Sequence, residues 1–289
     1  MPIIEPIIRP PSEAYSFLLQ VTTGCSSNSC TFCAAYKNKD FIMKSREEIF
    51  SDISAYAVFD PDVRRIFLMD GDALALSNVK LLPVLDRLIW AFPGLSRVSS
   101  YANGNNIKCR SDLDLRDLYE KKMSLIYMGL ESGSQKILDM HKKRSSVEEM
   151  VEAVNRCSSA GIKSSVIVLL GLGGRKYSSE HVNHTITALN RMQPRYLSFL
   201  SVMVVPGTEL HDMKNSGDFI LLSQQELLLE AYEILKGLEL KRTVFRSDHA
   251  SNYLSLEGRL GADKVKLLDQ LKAAIDGRIG LRSESLRGL

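Results

Sequence analysis

A chain of 289 residues, 45% hydrophobic and 25% charged, can bury a full-sized core without cross-links and falls in the range where one α/β barrel makes a single domain. Its five cysteines are odd in number and three of them crowd into nine residues, which argues against a disulfide framework and for metal or cluster ligation. The net charge of +3 comes from scattered basic residues and argues against a nucleic-acid partner, because phosphate binding needs cations gathered on one face.

The opening stretch, MPIIEPIIRPPSEAY, breaks two short apolar pieces with prolines and a glutamate. It therefore lacks the apolar run of a signal peptide, and no later segment reaches membrane-spanning length. The expected setting is a reducing cytoplasm. From residue 16 to about 235, apolar runs alternate with amphipathic stretches, the pattern of βα units around a parallel sheet. Six strands are predicted in chain order: SFLLQV (16–21), RIFLMD (65–70), RVSSYA (97–102), LIYMGL (125–130), SSVIVLLG (164–171) and YLSFLSVMVV (196–205). They are nearly continuous in apolar, β-branched and aromatic residues, as strands covered on both faces tend to be.

Helices between them carry start signals. Ser45 with Glu48 spells an S-x-x-E capping box before Ile49, Phe50 and Ile53, and Ser145 with Glu148 spells another before Met150, Val151 and Val154. The segments NVKLLPVLDRLIWAF, DLRDLYEKKM, EHVNHTITALNRM and QQELLLEAYEILKGL complete the series, each closed by Gly, Pro or a polar turn. After residue 240 the pattern becomes a short strand, a polar loop and a closing helix. The expected architecture is an α/β partial (β/α)6 TIM-type barrel over residues 1–240, with residues 241–289 as a C-terminal extension packed on it.

Cys25-x4-Cys30-x2-Cys33 follows the first strand directly, in the loop at the strand's C-terminal end, where such barrels carry their chemistry. A structural zinc site would want four protein ligands, and the remaining thiols, Cys109 and Cys157, belong to a later loop and to the inner part of a helix. Both read as buried or half-buried thiols. Three thiolates instead leave one iron of a cuboidal cluster open to an exogenous ligand. Of the five histidines, His181 and His184 read as surface residues on an outer helix, with no third metal ligand in sight. His249, in a polar loop after the last short strand, is a candidate acid/base or substrate contact, and Tyr101, Asn103 and Asn106 at the end of the third strand are candidates by location. The GLGGRK run lacks the spacing of a phosphate loop.

The cysteine trio, with the aromatic Phe32 just before its third member and a six-fold βα pattern behind it, resembles the radical S-adenosylmethionine superfamily. The commonest spacing there is C-x3-C-x2-C, and this chain has one extra residue in the first gap. LMDGDAL after the second strand resembles the family's Gly-Gly-Glu motif, with Asp72 in place of the glutamate. GLESGS after the fourth strand is similar to the branch of the Elongator catalytic subunit, the methylthiotransferases and oxygen-independent coproporphyrinogen oxidase. VIVLLGLGG and VVPGTEL resemble the regions at the fifth and sixth strands, and HASNYL with LEGRLGADK looks like the C-terminal part of small uncharacterised members.

The resemblance implies that Cys25, Cys30 and Cys33 hold a [4Fe-4S] cluster whose open iron chelates S-adenosylmethionine. Phe32, Gly71, Asp72, Glu131 and Gly171 would shape the cofactor site around one opening, with Asp72 accepting from the methionine ammonium and Glu131 binding ribose hydroxyls. Reductive cleavage would give a 5′-deoxyadenosyl radical that abstracts hydrogen from a substrate, with His249 and Tyr101 as catalytic candidates and a low-potential flavodoxin or ferredoxin as electron donor. Lys163 and Arg175 lie near the strand where a cation for the methionine carboxylate is expected. No appended basic RNA-binding domain, second-cluster cysteines or cobalamin-binding domain is read from the sequence, which favours a small-molecule substrate. The alternatives are an RNA-modifying radical enzyme and a non-catalytic metal or iron–sulfur binding barrel protein.

Overall fold

The computed structural model describes residues 3–288. Its first half runs β1 (Phe17–Gln20), β2 (Thr22–Thr23), β3 (Ile42–Met43), α1 (Arg46–Phe59), β4 (Arg65–Met69), α2 (Asn78–Ala91), β5 (Arg97–Ala102), α3 (Gly104–Lys108), α4 (Asp112–Glu120) and β6 (Met123–Glu131). The second half runs α5 (Gln135–Met140), α6 (Val147–Ser159), β7 (Lys163–Leu170), α7 (Gly174–Met192), β8 (Tyr196–Ser201), α8 (Glu209–Ser216), α9 (Gln224–Gly237), β9 (Val244–Arg246), β10 (Glu257–Arg259) and α10 (Lys264–Ile275). The six strands read from the sequence are β1, β4, β5, β6, β7 and β8. Eight strands form one sheet in the order β1-β4-β5-β6-β7-β8-β9-β10, with β1 and β10 as its edges. The sheet is mostly parallel and open, as a partial TIM-type barrel requires; β10 runs antiparallel to β9. Among the described residues no helix is long and apolar enough to cross a membrane.

The chain divides into two compact units. One takes the described residues through Asn28, Ala35–Met128 and Arg156–Ser164; the other takes Ser29–Ala34, Gly129–Asn155 and the residues from Ser165 onward. In the first unit the parallel register aligns Phe17 with Ile66 and Ile66 with Val98. Its buried core includes Leu19, Ile53, Phe67, Leu81, Leu85 and Phe92, contributed by strands and by the inner faces of α1 and α2. In the second unit β7 pairs with β8 from Ser165↔Tyr196 to Leu170↔Ser201, and β8 with β9 through Leu197↔Phe245. Leu189 of α7, Ile234 and Leu235 of α9, Val168 of β7 and Phe199 of β8 are all fully buried. Each buried leucine of this kind stabilises the fold by about 2 kcal/mol.

Helix starts follow local chemistry. Ser45 and Glu48 form the expected reciprocal box at α1, and Ser111 with Asp114 and Ser223 with Glu226 do the same at α4 and α9. The box at α6 stands one residue later than the sequence suggested. Ser146 Oγ accepts the Glu149 N–H and the Glu149 carboxylate accepts the Ser146 N–H, while the Ser145 hydroxyl is buried with no hydrogen-bond partner among the described residues. The S-S-x-E-E run SSVEE allows both registers, and the structure pairs the second serine with the second glutamate.

Candidate functional site

In the first unit, the loop that carries Cys25 is tied to the end of β4. Asp70, at φ +68°, accepts the Gly24 N–H at 2.9 Å and pairs with Lys39 at 2.7 Å, both side chains being buried. The Gly71 N–H donates to the Gly24 carbonyl at 2.9 Å. Gly24, at φ +69°, is so close to the Lys39 carbonyl that a Cβ would stand 2.7 Å from its oxygen, so only glycine fits there. Gly71 is the second position where a side chain is excluded: a Cβ would lie 2.7 Å from Cys25 Cβ and 3.1 Å from the Tyr36 ring. Gly71→Ala is therefore expected to push Cys25 aside at a cost of about 1–3 kcal/mol. Iron retained per chain after anaerobic reconstitution should fall below that of the wild type; full retention would show that Gly71 does not set the position of Cys25.

Asp72 is fully buried beyond that glycine. Its Oδ2 accepts from the Ser26 hydroxyl and from Asn103 Nδ2 at 3.2 Å, whereas Oδ1 is buried with no hydrogen-bond partner among the described residues. Burial holds its carboxyl above the usual range, against the pull of Ser26, the Asn106 and Asn103 amides and the Arg110 guanidinium. A carboxylate oxygen left open in this way is an acceptor waiting for a cationic donor. Asn103 and Asn106, candidates by location alone, cap α3 reciprocally, and Asn103 also holds Asp72. Tyr101 is half-buried in an aromatic cluster, edge-on to Phe67 at 5.4 Å and to Tyr127 at 5.9 Å.

In the second unit, Cys30 and Cys33 close a turn through Cys33 N–H to the Cys30 carbonyl at 3.2 Å. Thr31 between them is fixed at all three polar groups. Its N–H donates to the His141 carbonyl, its carbonyl accepts from Leu210 N–H, and its hydroxyl meets His141 Nδ1 at 2.6 Å. His141 Nε2 lies 2.8 Å from the Leu172 carbonyl, which can only accept, so that nitrogen carries the proton and Nδ1 receives the Thr31 O–H. Burial lowers the His141 pKa and keeps this neutral form. Phe32 packs edge-on against His141 at 6.0 Å and against the apolar cluster of Ile137, Leu172, Val202, Leu210 and Phe219. Sequence reasoning gave His141 no role, since it stands just past the short α5 where no helical period could reveal an inner face.

Glu131 ends β6 at φ +62° and accepts from Lys143 Nζ at 3.0 Å. Its carboxylate folds back over Gly129, where a Cβ would sit 2.0 Å from Oε1. Gly171, at φ +80°, begins the turn after β7, and its N–H donates to Glu230 Oε1 at 2.5 Å. His181 departs from its expected surface position. It is fully buried on the inner face of α7, in line with Thr185, Ala188, Leu189 and Met192. His249 is half-buried, with Nδ1 receiving the Ser251 N–H at 3.1 Å and facing its hydroxyl at 2.9 Å. Arg282 braces that loop by donating to the carbonyls of His249, Ala250 and Asn252. Lys163 is exposed and opens β7, at the opposite end of the strand from Gly171, and Arg175 is paired with Glu226 at 2.8 Å. Cys157 is buried, with its thiol pushed up to about 12, but Cys109 is exposed at the end of α3 rather than buried or half-buried.

The five cysteines are all free thiols, and Cys25, Cys30 and Cys33 are part-exposed, as ligands that must accept an exogenous group need to be. Among the described residues no three His, Cys, Asp or Glu side chains converge on a point that could hold a single metal ion. In an iron–sulfur cluster each thiolate binds a different iron, so such convergence is not required. In the first unit Cys25, the space Gly71 leaves it and the buried acceptor Asp72, and in the second unit the thiols Cys30 and Cys33 on the turn that Thr31 fixes, are donors of the kind that a cluster and an aminoacyl ligand take.

An open, mostly parallel α/β sheet with three free thiols after its first strand has the layout of a partial barrel with a candidate cluster-binding loop. Residues 19–189, more than half of the chain, match the Radical SAM superfamily, and the chain belongs to that family, whose members are enzymes that use a [4Fe-4S] cluster and S-adenosylmethionine. It is 23% identical over 225 residues to the tRNA-2-methylthio-N(6)-dimethylallyladenosine synthase of Buchnera aphidicola, covering 73% of this chain and 49% of that protein. The fold is similar to the archaeal Elp3 of Methanocaldococcus infernus, with TM-score 0.55 and 16% identity over 82% of this chain and 62% of that one. It is also similar to methylornithine synthase (PylB), with TM-score 0.54 and 14% identity over 92% and 83%. The chain spans less than half the length of the first curated relatives it matches.

Proposed function

We propose that the protein is a cytoplasmic radical S-adenosylmethionine enzyme acting on a small organic molecule, with electrons from a flavodoxin or ferredoxin. In this reading Cys25, Cys30 and Cys33 ligate the cluster, and residues 1–240 are the catalytic barrel with 241–289 as an extension upon it. The observation that carries it is Asp72: a buried carboxylate whose Oδ1 has no hydrogen-bond partner among the described residues, next to Gly71, which leaves Cys25 room. The unpartnered Oδ1 would accept from the methionine ammonium, while Ser26 and Asn103 hold the other oxygen and so fix the carboxylate's direction. Glu131 would receive the ribose hydroxyls and Phe32 would wall the cluster loop from water. The bound cluster and S-adenosylmethionine supply the 5′-deoxyadenosyl radical; the chain's part is to orient them and to keep solvent away. His249, in the loop that Arg282 braces through the carbonyls of His249, Ala250 and Asn252, and Tyr101 are the residues proposed to face the substrate.

The test is anaerobic reconstitution with iron and sulfide, then dithionite and S-adenosylmethionine, with 5′-deoxyadenosine as the readout. The wild type is expected to form it and Cys30→Ala to form none. Tight metal binding by the wild type with neither 5′-deoxyadenosine nor S-adenosylmethionine binding would move the assignment to a non-catalytic metal-binding barrel. Product formation stimulated by transfer RNA, and not by small molecules, would move the substrate class to RNA.

A further inference from the structure

We propose that His181 and Glu230 form a buried positioning pair that couples the turn after β6, which carries Glu131, to the turn after β7, which carries Gly171. The proposal rests on the reading that these two turns face S-adenosylmethionine.

Both side chains are fully buried on the inner faces of α7 and α9. The Ser134 N–H donates to Ser132 Oγ at 3.1 Å, which leaves the Ser132 hydroxyl proton to be directed at His181 Nδ1, 2.8 Å away. Nδ1 is then the acceptor, and the ring proton sits on Nε2, which has no hydrogen-bond partner among the described residues and faces Glu230 Oε1 at 3.7 Å. That oxygen in turn accepts the Gly171 N–H at 2.5 Å, and Oε2 accepts the Ser178 hydroxyl at 2.5 Å. Hydrogen bonds thus run from Ser134 through Ser132 to His181 and from Glu230 to Gly171, and the two arms meet at the 3.7 Å approach of His181 Nε2 to Glu230 Oε1, longer than a hydrogen bond.

The turn after β6 is mounted on the same helix at three successive residues. Ser132 meets His181, the Gly133 N–H donates to Thr185 Oγ1 at 2.9 Å, and the Ser134 hydroxyl donates to Glu180 at 2.6 Å. The approach is so close that a Cβ on Gly133 would fall 2.2 Å from the His184 carbonyl oxygen. On the other side Gly171 is boxed in by Leu227 and Val202, whose side chains lie 2.9 and 3.1 Å from where its Cβ would be. Packing alone gives no reason for a carboxylate and an imidazole here. A leucine and a phenylalanine would fill the same helix–sheet interface without the desolvation cost of a buried charge, whereas only polar groups can fix the direction of the Gly171 N–H. Outer-sphere groups of this sort hold a binding site's geometry without touching the ligand, and their loss weakens binding about 10- to 100-fold.

The experiment is equilibrium binding of S-adenosylmethionine to the cluster-loaded protein, read alongside iron content and thermal unfolding. Glu230→Leu is expected to weaken binding about tenfold while iron content is unchanged. Glu230→Gln keeps an acceptor for the Gly171 N–H and is expected to stay within about twofold of the wild type, a rescue that loss of fold stability would not produce. Ser132→Ala breaks the other arm and should weaken binding in the same direction, and it decides the question if the leucine variant does not fold. Wild-type affinity in Glu230→Leu or in Ser132→Ala would overturn the proposal, as would equal losses in Glu230→Leu and Glu230→Gln. Glu131→Ala serves as the separate control: unchanged binding there would instead remove the reading that this turn faces the cofactor.

Discussion

Arg110→Met is expected to destabilise the protein by about 3–5 kcal/mol, the cost of leaving several buried acceptors without their charged donor at about 1–3 kcal/mol each before relaxation. Arg110 is 7% exposed, and its guanidinium serves four acceptors: Nε donates to Asn78 Oδ1 at 3.0 Å, Nη1 to the carbonyls of Leu74 and Asn106 at 3.0 and 2.6 Å, and Nη2 to the Leu76 carbonyl at 2.5 Å. Three of these are backbone oxygens, those of Leu74 and Leu76 in the turn after Asp72 and that of Asn106 in α3. Methionine fills the volume and leaves all of them without a donor. Arg110→Lys should recover only part of the loss, because three donors on a single nitrogen cannot reproduce the planar fork. Burial lowers the guanidinium pKa, opposed first by Asp114 and then by Asp72, so its removal should also raise the Asp72 carboxyl further. Urea unfolding of the apo-protein is the measurement. A loss below about 1 kcal/mol for the methionine variant would mean that water replaces the guanidinium and that the turn after Asp72 is not held by it.

Much of this molecule is legible in its sequence, for identifiable reasons. The six strands were recoverable because strands covered on both faces are written as unbroken apolar runs, and Cys25-x4-Cys30-x2-Cys33 stood out because function there is set by spacing. The two-residue strands β2 and β3 and the short α3, α5 and α8 were missed, since two to eight residues give too little periodicity to detect. Other losses were avoidable. His181 stands four residues before Thr185 and eight before Leu189, and Glu230 lies between Leu227 and Ile234, so helical spacing alone would have put both on buried stripes. The polar character of His181 suggests a surface position and Glu230 carries no assignment from sequence, yet a polar residue in an apolar stripe is the more informative observation. Thr31 with His141, and Glu13 with Arg97 and Tyr127, carry no such signal, because partners more than eighty residues apart meet only in the fold.

Glu230 and His181 should pull the pH dependence of stability in opposite directions, so that each single variant exposes the slope its partner conceals. Burial pushes the Glu230 carboxyl up to about 7 and the His181 imidazole down to about 4. The folded state binds more protons than the unfolded chain at Glu230 between its ordinary value of 4.5 and 7, so that contribution is whole below 4.5 and is lost as pH rises through 7. At His181 the unfolded chain binds more protons between about 4 and 6.5, so stability is gained as pH rises over that window. Each displacement of about 2.5 units corresponds to about 3 kcal/mol, and over the shared range the two slopes offset one another. The proton count is the same whether the pair's one proton sits on the carboxyl or on the imidazole, so the expectation does not depend on that choice. The other groups around the carboxylate are neutral donors, the Gly171 N–H and the Ser178 hydroxyl. Arg175, Glu226 and Glu233 line the surface groove that Glu230 borders, with Arg175 and Glu226 paired to each other. Urea unfolding between pH 4 and 8 should therefore show Glu230→Gln gaining stability up to about pH 6.5 and exceeding the wild type by up to about 3 kcal/mol above pH 7. His181→Phe should show the reverse, a steady loss from pH 4.5 to 7. Parallel curves for the two variants would mean that water reaches the pair and that neither group titrates as a buried one.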